Sequence, residues 1–242
     1  LGYTRIPYLK EISWDYPYYN DYYSMNLQTG KRKLLLDKSK SYTSMSPGGN
    51  YFAWYEEADS SWNLLSVENG HTSKLTAGLE AAFYDELHDY PVEPLPYGMA
   101  GWTEKDRFLL LYDRYDIWKF DTSGKEKPEK LTNGREQKIR FRYKKLDPEE
   151  KFIDIGKDLI LSAFNEENKQ SGFYRLNIKS GNLPQALYLK DKLFRRIYKA
   201  KNADKLIWQR ESYHEYLDLW YSNMEFSDPE KLSNANPQKR DY

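Results

Sequence analysis

The feature that most constrains this chain is a pattern that recurs five times along its 242 residues. Each copy alternates apolar and polar residues, passes through a turn and continues into a charged run that ends in apolar residues. Alternation with a period of two predicts half-buried strands, and a short turn between two such strands predicts a β-hairpin. The five predicted hairpins are "YYSMNLQTGKRKLLL" (22–36), "WNLLSVENGHTSKLT" (62–76), "DIWKFDTSGKEKPEKLT" (116–132), "GFYRLNIKSGNLPQALY" (172–188) and "LDLWYSNMEFSDPEKLS" (217–233).

Glycine marks the turn in four of the five copies, at positions 30, 70, 124 and 181. A tight hairpin turn needs a positive φ angle, and glycine adopts this angle without a steric penalty. The fifth copy has Asp228-Pro229 in place of the glycine. The glycines are 40, 54 and 57 residues apart, a spacing close to the length of one propeller blade, with the extra residues placed in loops.

A second element, a turn followed by an apolar run, precedes four of the hairpins. This apolar run is interpreted as the second strand of a repeated four-stranded unit, entered through the turn, and the hairpin supplies the third and fourth strands. Its copies are "SPGGNYFAWYE" (46–56), "WTEKDRFLLLYD" (102–113), "IGKDLILSAFN" (155–165) and "KNADKLIWQRE" (201–211). The turn "SPGGN" is therefore predicted to be part of a repeated scaffold and not a site of its own.

These units predict an all-β fold made of β-propeller blades, each with four antiparallel strands, because sheets of this kind are stable when stacked against their neighbours. Residues 1–233 are predicted to form the propeller region, with an incomplete blade at 1–36 and blades at 37–76, 77–132, 133–188 and 189–233. About five blade units are present. The sequence leaves open whether they close a ring or belong to a larger propeller of seven or eight blades.

Composition excludes several classes of function. The 37 basic and 37 acidic residues balance, so no net charge attracts nucleic acid or an anionic membrane. The mean hydropathy of −0.93 is low, but 17% aromatic residues provide enough apolar surface for a folded core. There is no cysteine and no apolar stretch long enough to span a membrane, and the abrupt start predicts a piece of a longer polypeptide.

Catalytic and metal chemistry is not predicted for this chain. A nucleophile elbow of the G-x-S-x-G type is absent from the sequence, as are a glycine-rich phosphate loop and an aspartate-rich calcium loop. The three histidines, His71, His88 and His214, lie in different units, which does not favour a shared metal site. We therefore expect no cofactor and no metal ion.

Charged residues that follow the second strand of a unit, at the turn into the hairpin, are the candidate binding residues. Acidic residues there either keep strand ends soluble or bind the ammonium group of a substrate. Arginines in comparable positions either clamp a carboxylate or carbonyl, or pair with a neighbouring acid across the hairpin. The candidates for a substrate-facing or domain-facing surface are Glu56, Glu57, Arg114, Glu166, Glu167, Arg210 and Glu211.

Several segments carry a family resemblance. "SPGGNYFAWYE" resembles the S-P-D-G-K-x-I-A-F turn and strand of TolB-like propellers. Over nearly the whole chain, further segments resemble the propeller of bacterial serine peptidases of the prolyl oligopeptidase family, the dipeptidyl and acylaminoacyl peptidase group. These segments are "GWTEKDRFLLLYDRYDIWKFD", "LDPEEKFID", "LSAFNEENKQSGFYRLN", "RESYHEYLDLWYSNMEF" and "LSNANPQ".

The resemblance implies a division of labour between two domains. In that family the catalytic Ser, Asp and His belong to a C-terminal α/β-hydrolase domain, so no catalytic residue is assigned to this chain. The propeller covers the active site and admits short peptides, and residues 234–242 resemble the linker toward the hydrolase domain. The implied partners are that domain and a peptide substrate, and the implied location is periplasmic or secreted. Glu56 and Glu57 resemble the paired glutamates of dipeptidyl peptidases, but they end a predicted strand and not a helical insertion.

Three functions remain open at this stage. The first is a non-catalytic propeller region of such a peptidase, which gates peptide access. The second is a stand-alone TolB-like module that binds a protein, and the third is a propeller glycosidase with carboxylates in its channel. If the ring is incomplete, its terminal blades expose apolar surface and strand edges, so we also expect a tendency to form homo-oligomers.

Overall fold

A computed structural model of the chain describes residues 1–14 and 16–238. Over these residues the chain forms nineteen strands arranged in five antiparallel sheets, with a single four-residue α-helix at Gly134–Gln137. The predicted all-β fold of propeller blades is confirmed by this succession of small antiparallel sheets. Residues 239–242 of the predicted linker lie outside the described residues.

The five sheets follow one another along the chain, and within each sheet the strand order is the order of the sequence. Sheet 1 has three strands, β1 (Gly2–Thr4), β2 (Asn20–Met25) and β3 (Arg32–Ser39). Sheet 2 contains β4 (Thr43–Met45), β5 (Tyr51–Glu56), β6 (Ser61–Ser66) and β7 (Thr72–Lys74). Sheet 3 contains β8 (Met99–Trp102), β9 (Phe108–Tyr112), β10 (Ile117–Asp121) and β11 (Glu129–Lys130).

The last two sheets are the longest. Sheet 4 contains β12 (Ile139–Tyr143), β13 (Leu159–Asn165), β14 (Ser171–Leu176) and β15 (Gln185–Lys190). Sheet 5 contains β16 (Leu193–Lys199), β17 (Lys205–Ser212), β18 (Glu215–Asn223) and β19 (Glu230–Lys231). The first strand of each sheet is an edge strand, and in the four-stranded sheets 2 to 5 the second and third strands are paired on both sides.

All five predicted hairpins are present as antiparallel strand pairs. The turn glycines at positions 30, 70, 124 and 181 have φ angles between 66° and 77°, as the turn chemistry requires. In the fifth hairpin, Asp228 has a φ of 45° and takes the positive-φ conformation without a glycine. Aspartate tolerates this conformation better than most residues, because its short polar side chain bonds to the nearby backbone.

The chain divides into two compact units. The first comprises residues 1–113 and 120–127, and its apolar cluster is built on Phe52, Trp54 and Leu65, with Tyr22 packed against them. The second comprises residues 114–119 and 128–242. Its apolar cluster joins sheets 4 and 5, and its buried members are Ile160, Phe173, Leu206, Trp208 and Phe226.

In sheets 2 and 3 the second strand is buried on both faces, which explains why β5 and β9 have continuous apolar sequences. All five residues of β9, with the sequence FLLLY, are buried, and so are four of the six residues of β5. Apolar contact on both faces removes the alternation that a half-buried strand shows.

The turn "SPGGN" holds a buried carboxylate from the next sheet. Asp106 is 1% exposed, and its oxygens accept hydrogen bonds from Ser46 Oγ at 2.7 Å, the Gly48 N–H at 2.9 Å and Asn50 Nδ2 at 2.9 Å. A Cβ atom on Gly48 would lie 2.6 Å from Asp106 Oδ2, so a larger residue would force the carboxylate away. The turn therefore joins sheet 2 to the connection between β8 and β9, both in the first unit, which is a scaffold contact.

The fourth strand is fastened by a hydroxyl and a carboxylate that recur in two sheets. Thr132 Oγ1 donates to Asp116 Oδ1 at 2.5 Å and accepts from the Ile117 N–H at 3.1 Å. In sheet 5, Ser233 Oγ donates to Asp218 Oδ1 at 2.7 Å and accepts a backbone N–H from the third strand in the same manner. A buried carboxylate is stabilised only when such donors replace water. These pairs hold the short fourth strand in register.

Candidate functional site

Glu56 and Glu57 lie where β5 ends. Glu56 is the last residue of the strand, opposite Ser61, and Glu57 begins a short 3-10 turn. Burial raises the pKa of Glu57, Lys40 lowers it, and the charges of Glu56 and Glu93 raise it again, with a net increase. The raised pKa makes the Glu57 carboxyl easier to protonate, and such shifts occur at structural as well as functional positions. Within the described part of the first unit, these glutamates belong to no group of three or more histidine and carboxylate side chains that could hold a metal ion.

Arg114 and Glu166 bind each other in the second unit. The guanidinium of Arg114 lies 2.7 Å from Glu166 Oε2, which also accepts a hydrogen bond from the Tyr115 hydroxyl at 2.8 Å. Arg140 lies 3.5 Å from the other oxygen, Oε1. Burial alone raises the pKa of Glu166, but the hydrogen bonds from Tyr115 and Arg114 and the two positive charges outweigh it and lower the pKa. Arg114 is paired with an acid, but this acid lies 52 positions away, after β13, and not across the hairpin as the sequence suggested.

Arg210 is held from three directions. Its Nε donates to Glu215 Oε1 at 2.7 Å, and its Nη1 donates to the Tyr188 hydroxyl at 3.0 Å. The guanidinium also lies over the Trp220 ring, 3.3 Å from the ring centroid. Lys192 contacts the second oxygen of Glu215 at 2.8 Å, so this carboxylate serves two cations. Because Arg210 lies in β17 and Glu215 lies in β18, the ion pair between them stabilises the β17–β18 hairpin.

The last two candidates have simpler surroundings. Glu167 is exposed in the turn between β13 and β14, where its backbone N–H donates to Asn165 Oδ1 at 2.8 Å. Glu211 lies inside β17, which continues to Ser212, and so does not follow the strand as expected. Its carboxylate accepts a hydrogen bond from Arg195 Nε at 2.7 Å. The structure thus joins Arg114 to Glu166, whereas Arg210 and Glu211 have other partners.

The histidines remain separate from one another in their hydrogen bonding. His71 is exposed in a hairpin turn, and its backbone N–H donates to Asn69 Oδ1 at 2.9 Å. His88 Nε2 lies 2.7 Å from the Val92 carbonyl oxygen, and His214 is exposed beside the Tyr213 ring. Within residues 1–14 and 16–238, no group of three or more histidine and carboxylate side chains is placed to bind a metal ion.

Sequence reasoning missed a group of basic residues on two first strands. β12 and the residue after it read IRFRYK, with a basic residue at every second position, and β16 has two consecutive arginines. A period of two places alternate side chains on one face of a strand, so this signal was visible in the sequence. The group lines one cleft in the second unit and consists of Arg140, Arg142, Lys144, Arg195 and Arg196.

Comparison with protein families found no match, and neither did comparison with curated protein sequences. Among solved structures, the chain is similar to an oligogalacturonate lyase from Vibrio parahaemolyticus, with a TM-score of 0.53 and 11% identity over 89% of this chain and 60% of that one. It is also similar to TolB from Acinetobacter baumannii, with a TM-score of 0.44 and 14% identity over 88% of this chain and 49% of that one.

A puromycin-hydrolyzing peptidase from Mycobacterium tuberculosis matches with a TM-score of 0.48 and 12% identity over 86% of this chain and 32% of that one. The chain therefore spans about half of TolB, three fifths of the lyase and one third of the peptidase. At 11% identity, the likeness to the lyase shows a shared fold and no shared activity. Membership of the prolyl oligopeptidase family stays a prediction.

Proposed function

We propose that this chain is the non-catalytic propeller region of a serine peptidase, in which it covers the active site of an α/β-hydrolase domain and admits short peptides. The sequence resemblance supports the peptidase class. The repeated four-stranded sheets support the covering role, because exclusion of folded proteins needs only a folded wall around a narrow opening. A periplasmic or secreted location is part of the same proposal. Within the described residues, no helix has the length and apolar character to span a bilayer.

The observation that best supports this proposal is that the candidate arginines are already paired with carboxylates of the same chain. Arg114 is paired with Glu166 at 2.7 Å, and Arg210 is paired with Glu215 at 2.7 Å. A catalytic acid or base has to reach a substrate with its reactive atom, whereas these groups already bind each other with good geometry. The pairing therefore favours a structural role for these residues over a catalytic role.

The test compares the 242-residue chain with the longer polypeptide that its gene is proposed to encode. Both are assayed on dipeptidyl and aminoacyl anilides and on a folded protein. We expect the chain alone to hydrolyse none of these, and the longer polypeptide to hydrolyse the anilides while leaving the folded protein intact. A longer polypeptide without activity on the anilides would contradict the peptidase class. Equal cleavage of the folded protein would contradict the gating role.

A stand-alone protein-binding module is the second candidate. It is favoured by the loop at 81–98, in which Leu87, Tyr90 and Val92 are 65%, 71% and 68% exposed. The loop is anchored by Phe83, which is 2% exposed and packs on Phe120 with ring centroids 5.6 Å apart. An anchored loop that presents apolar side chains is typical of an interaction surface. A stable partner in a pull-down that is lost on Tyr90→Ser, with no peptidase activity in the longer polypeptide, would favour this function.

A further inference from the structure

A cleft in the second unit concentrates positive charge. It has a volume of about 420 Å3 and is bounded by strands β12, β13 and β14 of sheet 4 and by β16 of sheet 5. Five of the fourteen residues that line it are basic, and none of the fourteen is acidic. The whole chain has no net charge, so this is a local concentration and not a reflection of overall composition.

Strand geometry explains how the charges come together. Arg140, Arg142 and Lys144 alternate with Ile139 and Phe141, which are 6% and 1% exposed in the core. The three basic side chains therefore share one face of β12 and of the residue that follows it, where the Lys144 N–H still pairs with the β13 backbone at 2.8 Å. Basic groups on this face repeat about every 6.6 Å, which is two residues of an extended strand.

A bulge in β16 adds two further charges. The pairing of β16 with β17 shifts between Arg195 and Tyr198, and Arg196 has a φ of 47°. Consecutive residues of a regular strand point to opposite faces, but here both Arg195 and Arg196 line the cleft. A positive φ is uncommon for a residue with a side chain, and such backbone conformations are concentrated at functional sites.

Carboxylates within the unit balance part of this charge. Arg140 lies 3.5 Å from Glu166, which also serves Arg114, and Arg195 lies 2.7 Å from Glu211. Arg142 donates to two backbone carbonyls, those of residues 141 and 114, at 2.7 and 3.1 Å, which fixes its guanidinium in position. Burial lowers the pKa of Lys144, and no carboxylate counteracts this effect. The cleft is therefore electropositive and partly desolvated, so an anion placed in it would be held more strongly than in open water.

The floor of the cleft is apolar, and its aromatic faces are already covered. Phe173 is 2% exposed and packs on Phe194 with ring centroids 5.4 Å apart. Phe164 lies under the guanidinium of Arg140, 5.0 Å from it. A sugar ring binds by stacking on an open aromatic face, which this floor does not offer. An aliphatic side chain needs only contact with an apolar surface, and the edge formed by Phe194 and Ile197 provides it.

We propose that this cleft binds an extended acidic peptide whose carboxylates stand at alternate positions. Side chains at positions i and i+2 of an extended peptide are about 6.6 Å apart on one face, which matches the repeat of the basic residues on β12. The intervening apolar side chains of the peptide face the aromatic floor or solvent. The proposed binding is a property of this chain alone and can be measured without a hydrolase domain.

The test is fluorescence anisotropy on the 242-residue chain with a labelled, end-blocked hexapeptide of alternating Glu and Val. The matched probe has the same six residues with the three Glu in one block, so its charge and composition are identical. We expect the alternating peptide to bind more tightly, and its affinity to fall as salt is added. Equal affinity for the two peptides, or binding of neither, would overturn the proposal. A tighter interaction with a uronic-acid oligosaccharide of equal charge would overturn it in favour of a saccharide site.

Two double variants locate the binding. Lys144→Gln with Arg196→Gln removes two cleft charges, and we expect about a tenfold loss of affinity for the alternating peptide. Lys125→Gln with Lys127→Gln removes two exposed charges from the first unit and should leave the affinity unchanged. If the cleft double variant does not fold, the exposed Arg196→Gln alone should still weaken binding about threefold. Wild-type affinity in a folded cleft variant would contradict the assignment.

Discussion

The guanidinium of Arg114 lies 2.7 Å from the carboxylate of Glu166, and about four fifths of each side chain is buried. The sequence placed these two residues in different units of the repeat as separate candidates for binding. The structure makes them partners, with the Tyr115 hydroxyl as a second donor to the same oxygen. A pair of this kind stabilises the second unit and leaves little of either group for a ligand.

Replacement of the carboxylate tests this structural role. Glu166→Gln removes a charge that serves Arg114 and Arg140, and we expect the free energy of unfolding to fall by about 1–2 kcal/mol. Glu167→Gln is the matched control, since Glu167 is the next residue and is exposed. It should change the unfolding free energy by less than about 0.5 kcal/mol. Denaturant unfolding of the three proteins measures this, and equal stability of all three would contradict the structural role.

Asp218 makes the stability of the second unit depend on acid pH. Burial alone raises its pKa, but hydrogen bonds from Lys231, Ser233 and the Ala235 N–H outweigh burial and lower the pKa below 3.8. A carboxyl whose pKa is lowered by folding stabilises the folded state above its unfolded pKa, and this stability is lost as the pH falls through the folded pKa. Wild-type stability should therefore decline below about pH 4.

Asp218→Asn should be less stable than wild type at pH 7 and should lose less stability on acidification. Urea unfolding at pH 7 and at pH 3 measures both quantities. Parallel stability losses in the two proteins would mean that another group carries the acid dependence.

The turn "SPGGN" can be tested through Gly48. An alanine Cβ at this position would lie 2.6 Å from the carboxylate of Asp106, which must then give up part of its hydrogen bonding. We expect Gly48→Ala to lower the unfolding free energy by about 1–3 kcal/mol. Gly2→Ala is the control, because nothing lies within 4 Å of its Cβ position. A melting temperature that is the same in both variants would show that the turn does not join sheet 2 to the connection between β8 and β9.

Glu57 is expected to behave in the opposite way to Asp218. Burial, together with Glu56 and Glu93, raises its pKa, so ionised Glu57 costs stability that the protonated form does not. The protonated Glu57 therefore stabilises the folded protein at low pH. This contribution is lost as the pH rises from the pKa of Glu57 in the unfolded chain to its higher pKa in the folded protein. Glu57→Gln should raise the melting temperature at pH 7 and have little effect at pH 4. A lower melting temperature at pH 7 would contradict this picture.

The repeat made most of the fold predictable from the sequence. Hairpins with glycine turns were identified because local geometry alone dictates positive φ at the glycine, and the continuous apolar runs were recognised as strands. Glu211 was expected after its strand but lies inside β17, because β17 extends further than the apolar run that revealed it. The end of a strand depends on its neighbours, which a local pattern does not contain.

The candidate site was harder to predict from the sequence than the fold. Arg114 and Glu166 are 52 positions apart, and no local pattern reveals that they meet. The alternating basic residues at 140, 142 and 144 were a local signal, but five of the fourteen residues that line the cleft come from β16, and the place of Arg196 among them depends on a bulge. Bulges arise from pairing with a partner strand and carry a weak sequence signature.

The most direct test of the central claim is labelling with a serine-directed fluorophosphonate. The 242-residue chain and the longer polypeptide that its gene is proposed to encode are treated side by side and examined by mass spectrometry. The account predicts a covalent adduct on the longer polypeptide and none on the chain alone. A specific adduct on the 242-residue chain would contradict it, because a reactive serine would then lie within the propeller region itself.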